Sequence, residues 1–362
     1  MKIFYVITGL GLGGAERQVV DLADRMVSLG HSVSIAYMTG PALVRPAFKN
    51  INIFSFESEK TLFGFLRALL KLSGLLKRIK PDVVHSHMVH ANILSRLARL
   101  TCRMPRLVCT AHNTNEGGRL RMLAYRLTAP LADVSTNVSA EAVAAFVKQG
   151  ATKSGEMIAV PNGIDTTRFV RLGAARNRLR DFEGVTDADK VFLAVGRLNV
   201  AKDYTNLLRA FTEVAKGNKS VRLWVVGDGE LRDELKIEVD RLQLSRKVKF
   251  LGIQNNVEEW MCAADVFVLS SAWEGFGLVV AEAMACEKVV VATDAGGVRE
   301  VLGDCGFLVP VRDSVALSNA LKSAIQLPLE EACELGVRAR KRVLENFSLD
   351  SAVSRWLKIY EL

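Results

Sequence analysis

The residues of this 362-residue chain best suited to chemistry lie between Ser270 and Glu282. Glu274 sits in the glycine-containing run Trp273-Glu274-Gly275-Phe276-Gly277-Leu278, and Glu282 follows eight positions later in a segment that reads as a helix. The apolar run Val266–Leu269 precedes them, so the order is strand, loop, helix. Such a turn aims unpaired backbone N–H groups and the positive end of a helix dipole at whatever lies over the loop, a setting that suits phosphate. Carboxylates repel phosphate, so Glu274 and Glu282 fit hydroxyl groups carried beside it, Glu282 on ribose and Glu274 nearer a second sugar.

Cations stand in a comparable place. Val195-Gly196-Arg197 closes a strand and Lys202 follows five residues after Arg197. A guanidinium fork and an ammonium in one loop can neutralise a diphosphate and stabilise it as a leaving group. Near the start, Gly9-Leu10-Gly11-Leu12-Gly13-Gly14 has the G-x-G-x-x-G spacing. A dinucleotide site also needs an acidic residue closing the second strand, and Tyr37-Met38-Thr39-Gly40 has none. Bare backbone at Gly13 and Gly14 facing phosphate or substrate fits better. His112 closes another strand and can contact a sugar or transfer a proton. His85, His87 and His90 follow a neighbouring strand without zinc-site spacing and read as cleft lining; no metal or cofactor is expected. Asp187-Ala188-Asp189 has a metal-binding D-x-D pattern but precedes a strand rather than following one.

These loops need a frame. Strands at 3–7, 33–37, 52–55, 83–85 and 107–110 alternate with helices at 16–29, 62–78 and about 92–100. The rhythm restarts with strands at 191–195, 222–226, 248–250, 266–269 and 289–292. It predicts an α/β chain of two Rossmann-like parallel-sheet domains, 1–167 and 168–349. The polar segment 168–189 is expected as a structure-poor linker, and a last helix at about 350–362 could pack on either domain. If the domains face a central cleft, the carboxyl ends of the strands, where such sheets bind ligands, converge on it.

Residues 1–165 carry 20 Lys and Arg against 11 Asp and Glu, whereas residues 166–362 carry 28 of each. No nucleic-acid signature accompanies the excess. The 62–78 segment is apolar nearly all round with Arg67 and Lys71 interspersed, and 118–126 is again basic and apolar. Phe63, Phe65 and Leu72 are more apolar surface than one core face needs, leaving two readings open, plain burial or contact with an anionic membrane surface. The start is too short and too soon interrupted by glycine for a signal peptide. The six scattered cysteines read as reduced, so a cytoplasmic protein, peripheral on the inner membrane face if the second reading holds, is expected.

Taken in order, Gly13-Gly14-Ala15-Glu16-Arg17, Pro81–His87, Val160-Pro161-Asn162-Gly163-Ile164-Asp165, Gly196-Arg197-Leu198, Lys202, Gly227-Asp228-Gly229, Glu274–Gly277, Glu282–Ala285 and Gly296-Gly297 with Glu300 resemble the retaining family 4 glycosyltransferases of GT-B fold. The resemblance implies metal-independent transfer from a nucleoside-diphosphate sugar, UDP favoured over GDP, to a glycan or lipid-linked acceptor such as those of bacterial surface polysaccharides, with no nucleic-acid partner. It gives Arg197 and Lys202 the diphosphate, Glu282 the ribose, Glu274 and His112 the transferred sugar, Gly252 and Ile253 the base, and Phe276, Gly277 and Leu278 the phosphates. Gly14 would lie near phosphate or acceptor, and Asn162 belongs to the motif set as a further binding residue. Cys286-Glu287-Lys288-Val289 departs from the small-residue sequence common there. A sugar-nucleotide epimerase of the same architecture and a membrane-docked sugar-nucleotide binding protein are the competing readings.

Overall fold

A computed structural model describes residues 1–361 apart from Lys60 and Asn115. The chain forms two compact units, the first made of Met1–Gly163 with the C-terminal helix Leu349–Glu361, the second of Ile164–Ser348. The division falls at 163/164, ahead of the 167/168 position expected from sequence. Two hydrogen bonds account for it: Gly163 N–H donates to Gln18 of unit 1, while Ile164 N–H donates to the Phe347 carbonyl of unit 2.

Unit 1 runs β1 (Lys2–Ile7), α1 (Gly14–Ser28), β2 (Ser32–Tyr37), β3 (Asn52–Ser55), α2 (Leu62–Ile79), β4 (Val83–His87), α3 (Val89–Ala98), β5 (Arg106–Ala111), α4 (Arg119–Thr128), β6 (Val134–Asn137), α5 (Ala140–Lys148) and β7 (Ile158–Ala159). Its strands are all parallel in the order β3-β2-β1-β4-β5-β6-β7. Strand order reverses between β1 and β4, and such switch points open a crevice at the strand ends. Alternate residues of β1 feed opposite faces. Tyr5 and Ile7 pack with α1 and the C-terminal helix, while Phe4 and Val6 pack with α2 and α3. The C-terminal helix buries Val353, Trp356 and Tyr360 and is tied down by Arg25 Nε to Asp350 at 2.6 Å and Arg106 Nε to the Ile359 carbonyl at 3.1 Å.

Unit 2 runs α6 (Gly173–Phe182), β8 (Lys190–Val195), α7 (Tyr204–Ala215), β9 (Val221–Val226), α8 (Arg232–Arg241), β10 (Val248–Gly252), α9 (Val257–Ala263), β11 (Val266–Leu269), α10 (Leu278–Ala285), β12 (Val289–Thr293), α11 (Val298–Leu302), β13 (Phe307–Val309), α12 (Ser314–Gln326) and α13 (Leu329–Asn346). The parallel order β10-β9-β8-β11-β12-β13 again reverses once, between β8 and β11.

The segment 168–189 is a correction. It holds α6, which packs on α9, rather than a structure-poor linker. The helix buries Ala175, Leu179 and Arg180, so guanidinium groups stand where leucines would normally mark an apolar face. Arg176 reaches Asp265 at 2.8 Å and Arg180 reaches it at 3.2 Å, while Arg180 also donates to the carbonyls of Thr186 and Asp189. Asp265 in turn accepts from Val191 N–H at 2.8 Å. Leu72 is a second correction: it lies fully buried in the core of unit 1 and adds nothing to an exposed surface.

Removing Asp265 takes away the carboxylate that Arg180, 3% exposed, contacts directly. Asp265→Ala is expected to destabilise unit 2 by about 2–4 kcal/mol, read as a lower urea midpoint with unchanged slope.

Candidate functional site

In unit 2, β8 and β11 run side by side with Phe192 opposite Val266 and Leu193 opposite Phe267. Their following loops therefore leave the sheet at the same level on either side of the switch point. The β8 loop passes through Gly196 and Arg197 into a 3-10 turn, Val200–Lys202, and the β11 loop carries Ser270–Gly277. Two contacts lash them together: Ala272 N–H donates to the Ala201 carbonyl at 2.8 Å, and Ser270 Oγ donates to the Lys202 carbonyl at 2.8 Å.

The lashing brings Lys202 onto Glu274. The Lys202 Nζ donates to Glu274 Oε1 in a close ion pair, and Ser271 Oγ donates to the same oxygen at 2.7 Å. Both side chains are mostly buried, 19% and 15% exposed. The ammonium and carboxylate assigned from sequence to different parts of a ligand thus neutralise each other. Arg197 is exposed at the head of the same loop.

Backbone supplies the rest. Gly277 has φ 89 and caps α10, so the chain turns abruptly and leaves the first-turn N–H groups of Leu278 and its neighbour without intrahelical partners. Glu282 lies one turn further along α10. Phe276 is 3% exposed and meets the Phe347 ring edge-on at 5.5 Å. Its side chain is therefore core, and only its backbone is available to a ligand. Gly252 ends β10 with φ 68, and Ile253 beyond it is 55% exposed. The β8, β9 and β10 ends are stitched by Gly196 N–H to the Val226 carbonyl, Gly227 N–H to the Gly252 carbonyl and Leu198 N–H to the Asp228 carbonyl, at 2.8–3.0 Å. A side chain on Gly227, at φ 131, would strike the Gly196 carbonyl.

In unit 1, Gly13 is the extended N-cap of α1 and Gly14 its first residue. Asn162 is buried, and the adjacent Gly163 N–H bonds Gln18 one turn into α1 at 2.9 Å, so the Gly13–Gly14 and Asn162 segments share the start of that helix. The histidines form a second cluster. His85 is fully buried, with Nδ1 on the Tyr360 hydroxyl and Nε2 on the Thr110 hydroxyl, each at 2.7 Å. It is a core residue tying the C-terminal helix to the sheet, not cleft lining. His87, 1% exposed, lies against His112, Nδ1 to Nε2 at 2.9 Å. Burial lowers the pKa of all three, that of His112 to about 4, with neighbouring imidazoles adding to the shifts of His85 and His87.

Sequence reasoning overlooked Ser271, Tyr204, whose hydroxyl donates to the Gly196 carbonyl at 3.2 Å, and Glu116. Glu116 accepts from His112 N–H and Val89 N–H, both at 2.7 Å, and so ties the loop after β5 to the start of α3. A signal existed. Glu116 is the sole acid between Asp82 and Asp133, a stretch containing seven arginines.

Two measurements follow from this geometry. Lys202→Met or Glu274→Gln alone is expected to cost about 1–3 kcal/mol, reduced from a fully buried pair by partial exposure, and the double variant to recover most of it in a double-mutant cycle. Because the three histidines are held neutral in the fold, their folded pKa values lie below the unfolded 6.5. Stability is complete above pH 6.5 and falls as acid protonates the unfolded chain first. Urea midpoints taken between pH 7 and 4 should fall, and fall less steeply in His112→Asn.

Two family models match the chain: "Glycosyltransferase Family 4" over residues 12–168 and "Glycosyl transferases group 1" over residues 175–342. Among curated proteins, the N-acetylgalactosamine-N,N'-diacetylbacillosaminyl-diphospho-undecaprenol 4-alpha-N-acetylgalactosaminyltransferase of Campylobacter jejuni is 28% identical over 341 residues, covering 90% of each chain. The UDP-Gal:alpha-D-GlcNAc-diphosphoundecaprenol alpha-1,3-galactosyltransferase of Escherichia coli is 25% identical over 314 residues, covering 83% of this chain and 80% of its own. Among solved structures, Anabaena HepE in complex with UDP and glucose superposes with a TM-score of 0.86 at 23% identity, covering 99% of this chain and 98% of its own. That likeness shows the GT-B fold.

Proposed function

Because the chain belongs to the family 4 glycosyltransferases, with the group 1 domain following in the same chain, we propose that it transfers a sugar from a UDP-sugar to a lipid-linked glycan at the cytoplasmic membrane surface, with retention at the anomeric carbon and without a metal. The observation that carries the reading is the Lys202–Glu274 pair at the switch point of unit 2. An ammonium and a carboxylate held within reach of one helix N-terminus match a ligand that joins phosphate to hydroxyl-bearing sugar.

In this reading Lys202 and Arg197 bind the diphosphate and stabilise its departure, helped by the backbone N–H groups at Gly277 and Leu278. Glu274 passes from Lys202 to the hydroxyls of the transferred sugar, and His112 contacts that sugar. Glu282 takes the ribose, and the backbone at Gly252 and Ile253 takes the base. Gly13, Gly14 and Asn162 border the phosphate or acceptor at the start of α1. Retention and metal independence rest on the family resemblance. The UDP preference draws support from HepE, which binds UDP and glucose, and from the Escherichia coli relative, named for UDP-Gal. Both curated relatives act on diphospho-undecaprenol acceptors by name.

The membrane surface draws support from unit 1. On α2, Leu62, Phe63, Leu66 and Leu70 are exposed, beside Arg67, Lys77 and Arg78. On α4, Leu120, Leu123 and Leu127 form a second exposed stripe, beside Arg119 and Arg126. Both helices flank α3 on one side of the sheet. Leucines 71–85% exposed, as at 62, 70, 120 and 127, are not core, and apolar stripes rimmed by arginine suit an anionic interface. Among the described residues, no helix is long and apolar enough to cross a membrane.

A thermal-shift panel of UDP-, GDP- and ADP-sugars tests the donor: a UDP-sugar should raise the midpoint most, and no response to any nucleotide sugar would sink the reading. With that donor and a bacterial lipid extract, Lys202→Ala and Glu274→Ala should each lose about 100-fold or more in kcat while melting cooperatively; near-native turnover in either would displace the site. Leu66→Ser/Leu70→Ser should cut cosedimentation with phosphatidylglycerol vesicles several-fold relative to wild type, and equal cosedimentation would remove α2 from the interface.

A further inference from the structure

His112 is held at two points. Its backbone N–H donates to Glu116 Oε1, and the other oxygen of that carboxylate takes Val89 N–H, two residues past His87, each at 2.7 Å. Its Nε2 faces His87 Nδ1 at 2.9 Å. His87 is itself clamped from behind, with the His85 ring 4.0 Å away centroid to centroid. His85 cannot share a proton with it, because Thr110 and Tyr360 occupy both His85 nitrogens.

One proton lies between His87 Nδ1 and His112 Nε2, and it can belong to either ring. If it belongs to His112, a neutral His87 must carry its own proton on Nε2. That atom is buried and has no hydrogen-bond partner, so the arrangement strands a buried N–H. If the proton belongs to His87 Nδ1, the stranded group is a lone pair. Among backbone groups an orphaned buried N–H is rarer than an under-satisfied acceptor; the same asymmetry carried over to the imidazoles favours the second arrangement, and burial keeps both rings uncharged. The charged and titratable groups in contact with the two rings are His85, Tyr5 and Glu116. Burial pushes the Glu116 carboxyl up from the usual carboxylate range, and its hydrogen bond goes to the His112 backbone rather than to a ring nitrogen.

We infer that His87 is a positioning residue: it donates from Nδ1 to Nε2 of His112 and thereby fixes His112 in the tautomer that carries its proton on Nδ1. His112 then presents a hydrogen-bond donor, not a base, at the nitrogen outside the pair. Where His112 meets the transferred sugar, a step that rests on the function proposed above, its partner is an oxygen acceptor and proton abstraction by His112 is ruled out.

The test needs no substrate, so its failure is distinct from failure of the transferase reading. Ring ¹⁵N spectra of the full-length, unliganded, ¹⁵N-histidine-labelled protein report which nitrogen is protonated, and with five histidines in the chain His112 is assigned by the signal lost in His112→Gln. Wild type and His87→Asn, whose amide N–H replaces the Nδ1 donor, should show His112 protonated on Nδ1 alone. His87→Asp, which offers only an acceptor, should move a proton onto His112 Nε2. A proton on His112 Nε2 in wild type overturns the inference, as does an unchanged His112 spectrum in a folded His87→Asp. Should that variant not fold, the wild-type spectrum decides alone.

Discussion

Lys202 and Glu274 meet because two adjacent parallel strands, β8 and β11, belong to halves of the sheet that were built in opposite directions. The helix after β8 returns the chain toward β9, and the helix after β11 returns it toward β12. The space directly above the β8–β11 pair is therefore left to loops, and whatever those loops carry must settle its charges there. The same constraint operates in unit 1, where the order reverses between the paired strands β1 and β4 and Ile7 stands opposite His87 at their ends, so the loops that follow leave the sheet at the same level. Each unit thus has a switch point at which loops from neighbouring strands approach without a helix between them.

Polar groups occupy the interior of unit 1 to an unusual degree for a sheet covered on both faces. Thr110 and Thr136 bond each other at 2.7 Å, His85 joins them, and Arg96 is buried with its guanidinium stacked 4.1 Å from the Tyr125 ring and donating to Ser135 and the Tyr125 carbonyl. Such a network is favourable only when nearly every member is paired, so it specifies strand register more strictly than an oily core would. That strictness suits loops whose side chains must reach one another across neighbouring strands.

These features also explain what could be read in advance. Strands such as Val266–Leu269 and Asn52–Ser55 were visible because their apolar residues stand in a row between turn residues, and the parallel α/β class followed from their alternation with helices. Strand β6, Val134-Ser135-Thr136-Asn137, was not visible: it is polar yet interior, and its fitness for the core depends on partners, Arg96 and Thr110, remote in the chain. Helix α6 was hidden for the same reason, its arginines finding Asp265 about ninety residues away. At the site, residue types and loop positions were legible. The mutual pairing of Lys202 with Glu274 and the proton shared by His87 and His112 were not, because distance between separate strand ends is set by sheet order rather than by spacing along the chain.

The C-terminal helix contributes Trp356 and Tyr360 to the same core as Tyr5 and His85, although the chain passes through all of unit 2 before reaching it. During synthesis, all of unit 2 is made before the helix that covers one face of the unit 1 sheet. Domains generally fold as units during synthesis, and here the order of completion is inverted: the unit begun first is closed last. Between those moments Tyr5, Val33 and Val83 lie open on a half-covered sheet, and His85 has no hydroxyl for its Nδ1. The end of the chain is the lid of its beginning.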